Sequence, residues 1–209
     1  MLAEFFRGAV DRLCVAADGR QGIDGPAALL VAGAFNPVHA GHWGLAEAAA
    51  RMVGKPAAFE LCIANVDKAP LNAAEVEQRL RPFAGRAAVW MTRAATFVEK
   101  ARLFPGSVFA VGADTAARII EPRYYGGRAA DLAAALTELR RHGNHFLVAC
   151  RVDASGRCLS LDDLEIPAEH RDLFHNIPPQ EFRLDVSSSA LRTRPKSEVC
   201  PAHGRTTPA

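Results

Sequence analysis

Two histidines three residues apart are the strongest chemical signal in the chain. His39 and His42 belong to the run Gly33-Ala-Phe-Asn-Pro-Val-His-Ala-Gly-His42, which follows an apolar stretch. That stretch, residues 27–34, predicts a strand buried on both faces, and the residues after Gly41 predict a helix. A helix N-terminus behind such a strand offers free N–H groups and a positive dipole end to an anion. Both imidazoles can add hydrogen bonds, so the run predicts a phosphate site.

The other residues of this loop support that prediction. Gly33 and Gly41 allow a tight bend and a close approach of backbone to ligand. Pro37 ends the strand, because a proline has no N–H to continue the ladder. A zinc site on the two histidines would lack a third ligand at a suitable spacing, so we expect no metal ligands here.

A second candidate lies near the C-terminus, in Val186-Ser-Ser-Ser-Ala-Leu-Arg192. Serine hydroxyls and backbone N–H groups can open a helix, and Arg192 one turn later adds a charged fork that suits polyphosphate. Taken alone, the same residues could be a simple helix cap in a polar stretch.

Two weaker candidates follow other predicted strands. Asp114 comes two residues after Gly112, at the end of the strand expected over residues 107–112; it could accept hydrogen bonds from ribose hydroxyls or could cap the next helix. Lys68 follows the strand expected over residues 59–66, and it is either a phosphate contact or a solvated surface charge.

Together the two runs resemble the paired signatures of the small adenylyltransferases and cytidylyltransferases that share the HIGH-type fold. The first run resembles their GxFxPxHxGH signature, and the serine run is similar to their ISSTxxR element. The resemblance covers residues 28–194 and implies nucleotidyl transfer. It implies catalytic roles for His39, His42 and Arg192. It also implies nucleotide contacts from Gly33, Ala34, Phe35, Asn36, Gly41, Lys68, Gly112, Asp114, Ser187, Ser188 and Ser189.

Within that superfamily, the Phe-Asn-Pro-x-His version most resembles nicotinamide- or nicotinate-mononucleotide adenylyltransferases. These would move AMP from ATP to the mononucleotide with Mg²⁺, release pyrophosphate and serve NAD biosynthesis. Thr96 matches their Ser/Thr-Tyr-Thr stretch, but Ala95 stands where the aromatic residue is expected. Transfer to pantetheine phosphate or a polyol phosphate, or nucleotide binding without turnover, therefore stays open as an alternative.

The spacing of predicted elements indicates how these residues are positioned. Strands alternate with helices along the chain, which predicts an α/β, Rossmann-like, doubly wound and mostly parallel sheet of five to six strands, with helices on both faces. Residues 3–17 are expected to form an N-terminal helix packed on a single domain of residues 1–194. Residues 153–180 are interpreted as a connecting insertion, and residues 195–209 as a flexible tail.

Composition limits the classes of partner. The chain has 209 residues, 49% of them hydrophobic, and a net charge of +2, which is too small a surplus to indicate nucleic-acid binding. No apolar stretch is long enough to cross a bilayer. Five cysteines without a close pair argue against a disulfide framework, and Cys62 and Cys150 are expected to be core thiols. We expect a cytoplasmic protein with small-molecule nucleotide substrates, and a homo-oligomer is compatible with the sequence.

Overall fold

A computed structural model describes residues 1–64, 69–152 and 157–182. Within them, α-helices occupy α1 Leu2–Phe6, α2 Ala40–Val53, α3 Ala73–Leu80, α4 Phe97–Leu103, α5 Ala113–Ile119 and α6 Ala129–Arg141. The strands are β1 Arg12–Val15, β2 Gln21–Gly22, β3 Leu29–Ala32, β4 Ala58–Cys62, β5 Val89–Thr92, β6 Val108–Gly112, β7 His145–Ala149, β8 Arg151–Val152, β9 Cys158–Leu159 and β10 Phe174–Ile177.

In the described part of the chain, the central sheet has eight strands in the order β10-β7-β6-β3-β4-β5-β1-β2. The six strands from β10 to β5 are parallel, while β1 pairs antiparallel with both β5 and β2. The predicted mostly parallel Rossmann-like sheet is therefore confirmed. It is wider than the five to six strands expected, because β1 and β2 extend one edge and β10 the other.

Helices cover both faces of this sheet, as expected. One face carries α4, α5 and α6 over a core that includes Phe109, Phe146 and Leu136. The other face carries α1, α2 and α3 over a core that includes Phe59 and Leu45. Because the parallel strands all point the same way, the loops that follow β3, β4, β5, β6 and β7 meet along one carboxyl edge.

The helix expected over residues 3–17 is wrong. Helix α1 ends at Phe6, and Gly8 follows with a φ of 78°, a backbone conformation that takes the chain out of the helix. The chain then enters β1, in which Leu13 pairs with Met91 of β5. Phe5 and Leu13 are both fully buried. The apolar side chains whose spacing predicted one long helix are therefore buried by a short helix followed by a strand. Pairing with β1 also covers backbone groups that β5 would otherwise leave open at an edge.

The interpretation of residues 153–180 as a connecting insertion is also wrong. Residues 174–177 form β10, which lies parallel to β7 and buries Phe174 and Ile177. Upstream of it, Cys150 and Cys158 form a disulfide across the β8–β9 hairpin, with their Cα atoms 5.8 Å apart. Cys150 is therefore not a free thiol, although it is fully buried as expected.

The described segments contain no helix that is both long enough and apolar enough to cross a membrane.

Candidate active site

The loop after β3 is anchored by a buried phenylalanine. Phe35 has a φ of 46°, unusual for a residue with a side chain, and only 2% of its surface is exposed. Its ring lies over Gly33, where an added Cβ would be 2.7 Å from the ring. It also meets the rings of Phe59 and His42 edge-on, at centroid distances of 5.5 and 5.1 Å. The glycine thus makes room for an aromatic anchor that holds the loop and touches one catalytic candidate.

The two histidines lie together where the next helix begins. His39 is the N-cap of α2, and its backbone N–H donates to Nδ1 of His42 at 3.1 Å. The two imidazole rings are 3.8 Å apart between centroids. Because Nδ1 of His42 accepts a hydrogen bond, the neutral ring carries its proton on Nε2, which is then a donor for a ligand.

Burial keeps both imidazoles neutral near pH 7. It lowers the pKa of His42 to about 4, and the neighbouring His39 adds to that shift. The pKa of His39 is also lowered, first by burial and then by the positive charge of Arg151. Among the described residues, Nδ1 of His39 is buried without a hydrogen-bond partner. A buried, unpaired polar atom at a helix start is consistent with a site that a polar ligand completes.

Asp114 lies beside an arginine that the sequence analysis did not single out. Its carboxylate forms an ion pair with the guanidinium of Arg151 in β8. The register of the sheet explains this pairing. Gly112 at the end of β6 lies opposite Ala149 at the end of β7, and the residues that follow both strands leave the sheet at its carboxyl edge. Helix α5 begins at Ala113 with Gly112 as its N-cap, so Asp114 is not the cap of that helix. With Arg157 and Asp163, the pair lines a cleft of about 260 Å³.

A second cavity, of about 210 Å³, lies along the same edge of the sheet. The histidine loop contributes Gly33 and Ala34 to its wall, and Phe97, Tyr124 and Tyr125 supply aromatic surface. Burial raises the pKa of Tyr125 to about 12, so its phenol stays protonated. Thr96, the residue that matches the Ser/Thr-Tyr-Thr stretch, also lines this cavity. Its side chain caps α4 as well, by accepting a hydrogen bond from the Glu99 N–H.

The polar part of this cavity is an ion pair that the sequence analysis missed. Lys100 Nζ donates to Glu60 Oε1 at 2.7 Å and to the Ala94 carbonyl at 2.8 Å. Thr92 Oγ1 donates to the same Glu60 oxygen at 2.5 Å. The two charged side chains are only 5% and 1% exposed. A glutamate inside the otherwise apolar strand Ala58–Cys62 was the available signal, because an unpaired carboxylate would not be buried there.

Several predicted site residues lie outside the described residues. These are Lys68, Ser187, Ser188, Ser189 and Arg192. The segment that leads to the serine run can be placed, however. Phe182 packs on α2 so closely that a Cβ on Gly44 would lie 2.5 Å from its ring, and Glu181 pairs with Arg51 of α2 at 3.4 Å. The chain is therefore beside the histidine helix five residues before Ser187.

Comparison with known families agrees with this geometry. A family model described as cytidylyltransferase-like matches residues 30–194. The chain belongs to the cytidylyltransferase-like family. The match places it in the HIGH nucleotidyltransferase superfamily, as the two signatures predict, and makes nucleotidyl transfer its class of reaction. No curated protein sequence matches the chain.

For a cytidylyltransferase-like protein, the arrangement has a clear chemical use. Neutral N–H donors and a helix N-terminus can bind phosphate oxygens, and the adjoining cavity can hold a group next to them. Of the residues predicted for the site, the described part of the chain brings Gly33, Ala34 and Phe35 together with His39 and His42. It places Asp114 in the first turn of α5, just past the end of the neighbouring strand β6 and beside Arg151.

Proposed function

We propose that the protein transfers AMP from ATP to nicotinamide or nicotinate mononucleotide and releases pyrophosphate. The observation that carries the proposal is the pairing of His39 with His42 at the start of α2, next to a cavity that shares the loop residues Gly33 and Ala34. A phosphate site and a cavity for a ring, joined by one loop, suit an acceptor that is itself a mononucleotide.

The chemistry requires no protein nucleophile. A phosphate oxygen of the mononucleotide attacks the α-phosphorus of ATP, forming a new phosphoanhydride bond. The bond from that phosphorus to the bridging oxygen breaks, and pyrophosphate leaves with the electron pair. Because the attacking phosphate is already anionic, the protein's contribution is positioning and charge stabilisation.

His42 would stabilise the charge that develops on the transferred phosphoryl group. Its Nε2–H is a donor because Nδ1 is held by the His39 backbone N–H. The rigid backbone contact orients the ring before the substrate arrives, so little reorganisation is needed at the transition state. Bound phosphate would raise the pKa values of both histidines, since a negative charge favours the imidazolium form.

The serine run would hold the β and γ phosphates. Covalent geometry limits a chain to about 3.5 Å per residue, and Ser187 follows Phe182 by five residues in the sequence, which is a reach of at most about 18 Å. Because Phe182 packs on Gly44, two residues beyond His42, this reach supports a role for Ser187, Ser188, Ser189 and Arg192 at the same phosphates. Lys68 would add a further positive charge.

Asp114 would accept hydrogen bonds from the ribose hydroxyls of ATP, after its ion pair with Arg151 opens or shifts. The substrate form of the nucleotide would be MgATP. Among the described residues there is no group of three or more histidine, cysteine, aspartate or glutamate side chains that could hold a metal ion. The magnesium would be held by phosphate oxygens and water, as is common for this ion.

The experiment is a panel assay that follows pyrophosphate release. ATP and CTP are each offered with nicotinamide mononucleotide, nicotinate mononucleotide, pantetheine phosphate and glycerol phosphate. We expect release with ATP and at least one pyridine mononucleotide. The description of the matched family favours cytidylyl transfer as the second candidate, which release with CTP alone would support. Tight ATP binding with no release for any acceptor would instead indicate a binding protein without turnover.

A further inference from the structure

The cavity beside the histidine loop has a polar floor whose charges cancel. Lys100 and Glu60 form a buried ion pair there, with 2.7 Å between Nζ and Oε1. Buried ions of opposite charge stabilise one another only as a pair, and a change of charge beside them is costly. The floor thus offers a ligand one positive and one negative hydrogen-bonding group with no net charge.

We propose that Glu60 and Lys100 select an acceptor whose ring carries a neutral carboxamide, and reject the corresponding carboxylate. This inference rests on the proposed function and specifies its substrate as nicotinamide mononucleotide. It assigns a specificity role to two residues that lie in neither the histidine run nor the serine run.

The hydrogen-bonding capacity of the Lys100–Glu60 pair matches a carboxamide. Within the described residues, the Lys100 ammonium has two acceptors, Glu60 and the Ala94 carbonyl, which leaves the third of its N–H groups for a ligand. The hydrogen bonds that the Glu60 carboxylate accepts from Lys100 and Thr92 both go to Oε1. A carboxamide has a carbonyl to accept from the ammonium and an NH₂ to donate to the carboxylate. A ligand carboxylate has acceptors only and would face Glu60 without a proton to share.

The charge balance of the Lys100–Glu60 pair disfavours a carboxylate. A ligand carboxylate beside the buried Glu60–Lys100 pair would make two negative charges and one positive charge, and a buried net charge is unfavourable. Among the residues that the structure describes, the other cation lining the cavity is Arg118, which is exposed and lies over the Tyr124 ring with 5.5 Å between its Cζ and the ring centroid. Because solvent screens an exposed guanidinium, its attraction for a ligand anion is weak compared with the repulsion from buried Glu60.

The first test uses the wild-type chain. Binding of nicotinamide mononucleotide and of nicotinate mononucleotide is measured by calorimetry, and turnover of each with ATP by pyrophosphate release. We expect the amide to bind more tightly and to have the higher kcat/KM, by about ten- to hundredfold, mainly through KM. Equal values, or a preference for the carboxylate, would overturn the inference while leaving the proposed function intact.

The second test changes the charge of the floor. Glu60→Gln keeps the size of the side chain but leaves Lys100 uncompensated, so the preference should shift toward the carboxylate by about tenfold or more. Glu60→Gln combined with Lys100→Met restores a neutral floor and should return the preference to the amide. The matched control is Glu165→Gln, the same chemical change at an exposed position outside both cavities. It should leave the ratio of the two KM values unchanged.

The outcomes separate the two proposals. Lack of binding and of turnover with both mononucleotides in the wild type would overturn the proposed function and this inference with it. An unchanged ratio in Glu60→Gln, with normal circular dichroism and thermal unfolding, would overturn the specificity role alone. If Glu60→Gln does not fold, the wild type and the double variant still test the specificity role. Both have a cavity floor with no net charge, so both must prefer the amide.

Discussion

The backbone N–H of His39 donates to Nδ1 of His42 across 3.1 Å, and this bond joins the two histidines into one unit. It fixes which nitrogen of His42 carries the proton, and it holds the ring at the helix start. The pairing explains why a spacing of three residues matters. At an N-cap, the residue three positions later can reach back to the cap's own N–H, as in a capping box.

Replacing His42 tests its role as a phosphate donor. His42→Ala should fold and should lower kcat by about a hundred- to thousandfold, because one preorganised donor to the reacting phosphate is lost. Pyrophosphate release measures the rate, and circular dichroism verifies the fold. His145→Ala is the matched control, since His145 is exposed at the start of β7, the opposite edge of the sheet. Near-normal turnover in His42→Ala would defeat the assigned role.

Acid should weaken the fold through the same side chain. The pKa of His42 is about 4 in the folded protein, below its ordinary value of 6.5. Between these values the unfolded chain binds more protons, so the free energy of unfolding should fall as pH drops from 6.5 toward 4. This group can account for up to about 3 kcal/mol of that loss.

Denaturant unfolding at several pH values measures this effect. His42→Asn is the comparison, because its Oδ1 can still accept from the His39 N–H but does not titrate. The variant should show a smaller loss of stability between pH 6.5 and 4 than the wild type. Parallel pH profiles for the two proteins would mean that His42 does not resist protonation in the fold.

Removing Arg151 should change the titration of His39. The positive charge of Arg151 contributes to the lowered pKa of His39, after burial. Arg151→Ala should therefore raise the pKa of His39, which NMR titration of the ring signals can follow. Arg20→Ala removes an exposed arginine that pairs with Asp18, and it should leave this pKa unchanged. An identical His39 titration in Arg151→Ala would show that the two groups are not coupled.

Gly33 should not tolerate a side chain. In Gly33→Ala the new Cβ would lie 2.7 Å from the Phe35 ring, and that ring is packed against Phe59 and His42. Overpacking of this kind costs about 1–3 kcal/mol, so thermal unfolding should occur at lower temperature and turnover should fall. Gly22→Ala is the control, because the nearest atoms to its Cβ are 3.8 Å away. Equal stability of the two variants would contradict the close packing.

A substitution at Gly44 tests whether the contact between α2 and Phe182 helps to position the serine run. In Gly44→Ala the Cβ would lie 2.5 Å from the Phe182 ring, so that ring must move away from α2. The helix itself gains from alanine, by up to about 1 kcal/mol, so global stability should change little. Turnover should fall, and the loss should not add to that of Arg192→Ala if both act through the same contact. Fully additive losses would show that the two sites work independently.

The class of fold, and the loop and helix that carry the two histidines, could be predicted from the sequence alone. Alternating apolar runs and amphipathic helices predicted the parallel sheet, because secondary structure periods are local properties of the chain. Asn72 and Glu75 predicted the start of α3, where both capping hydrogen bonds are present. The histidine run predicted its own loop and helix, since its glycines, proline and histidines act on neighbours within ten residues.

Which distant residues share an edge of the sheet depends on the three-dimensional arrangement of the strands. The pairing of Arg151 with Asp114, and of Lys100 with Glu60, joins residues 37 and 40 positions apart. Strand order and register set these contacts, and no local pattern encodes them. The same reason accounts for β1, whose residues have helical spacing but gain more by pairing with the open edge of β5. Local preferences are weak, and they yield where long-range pairing satisfies more backbone groups and buries the same apolar side chains.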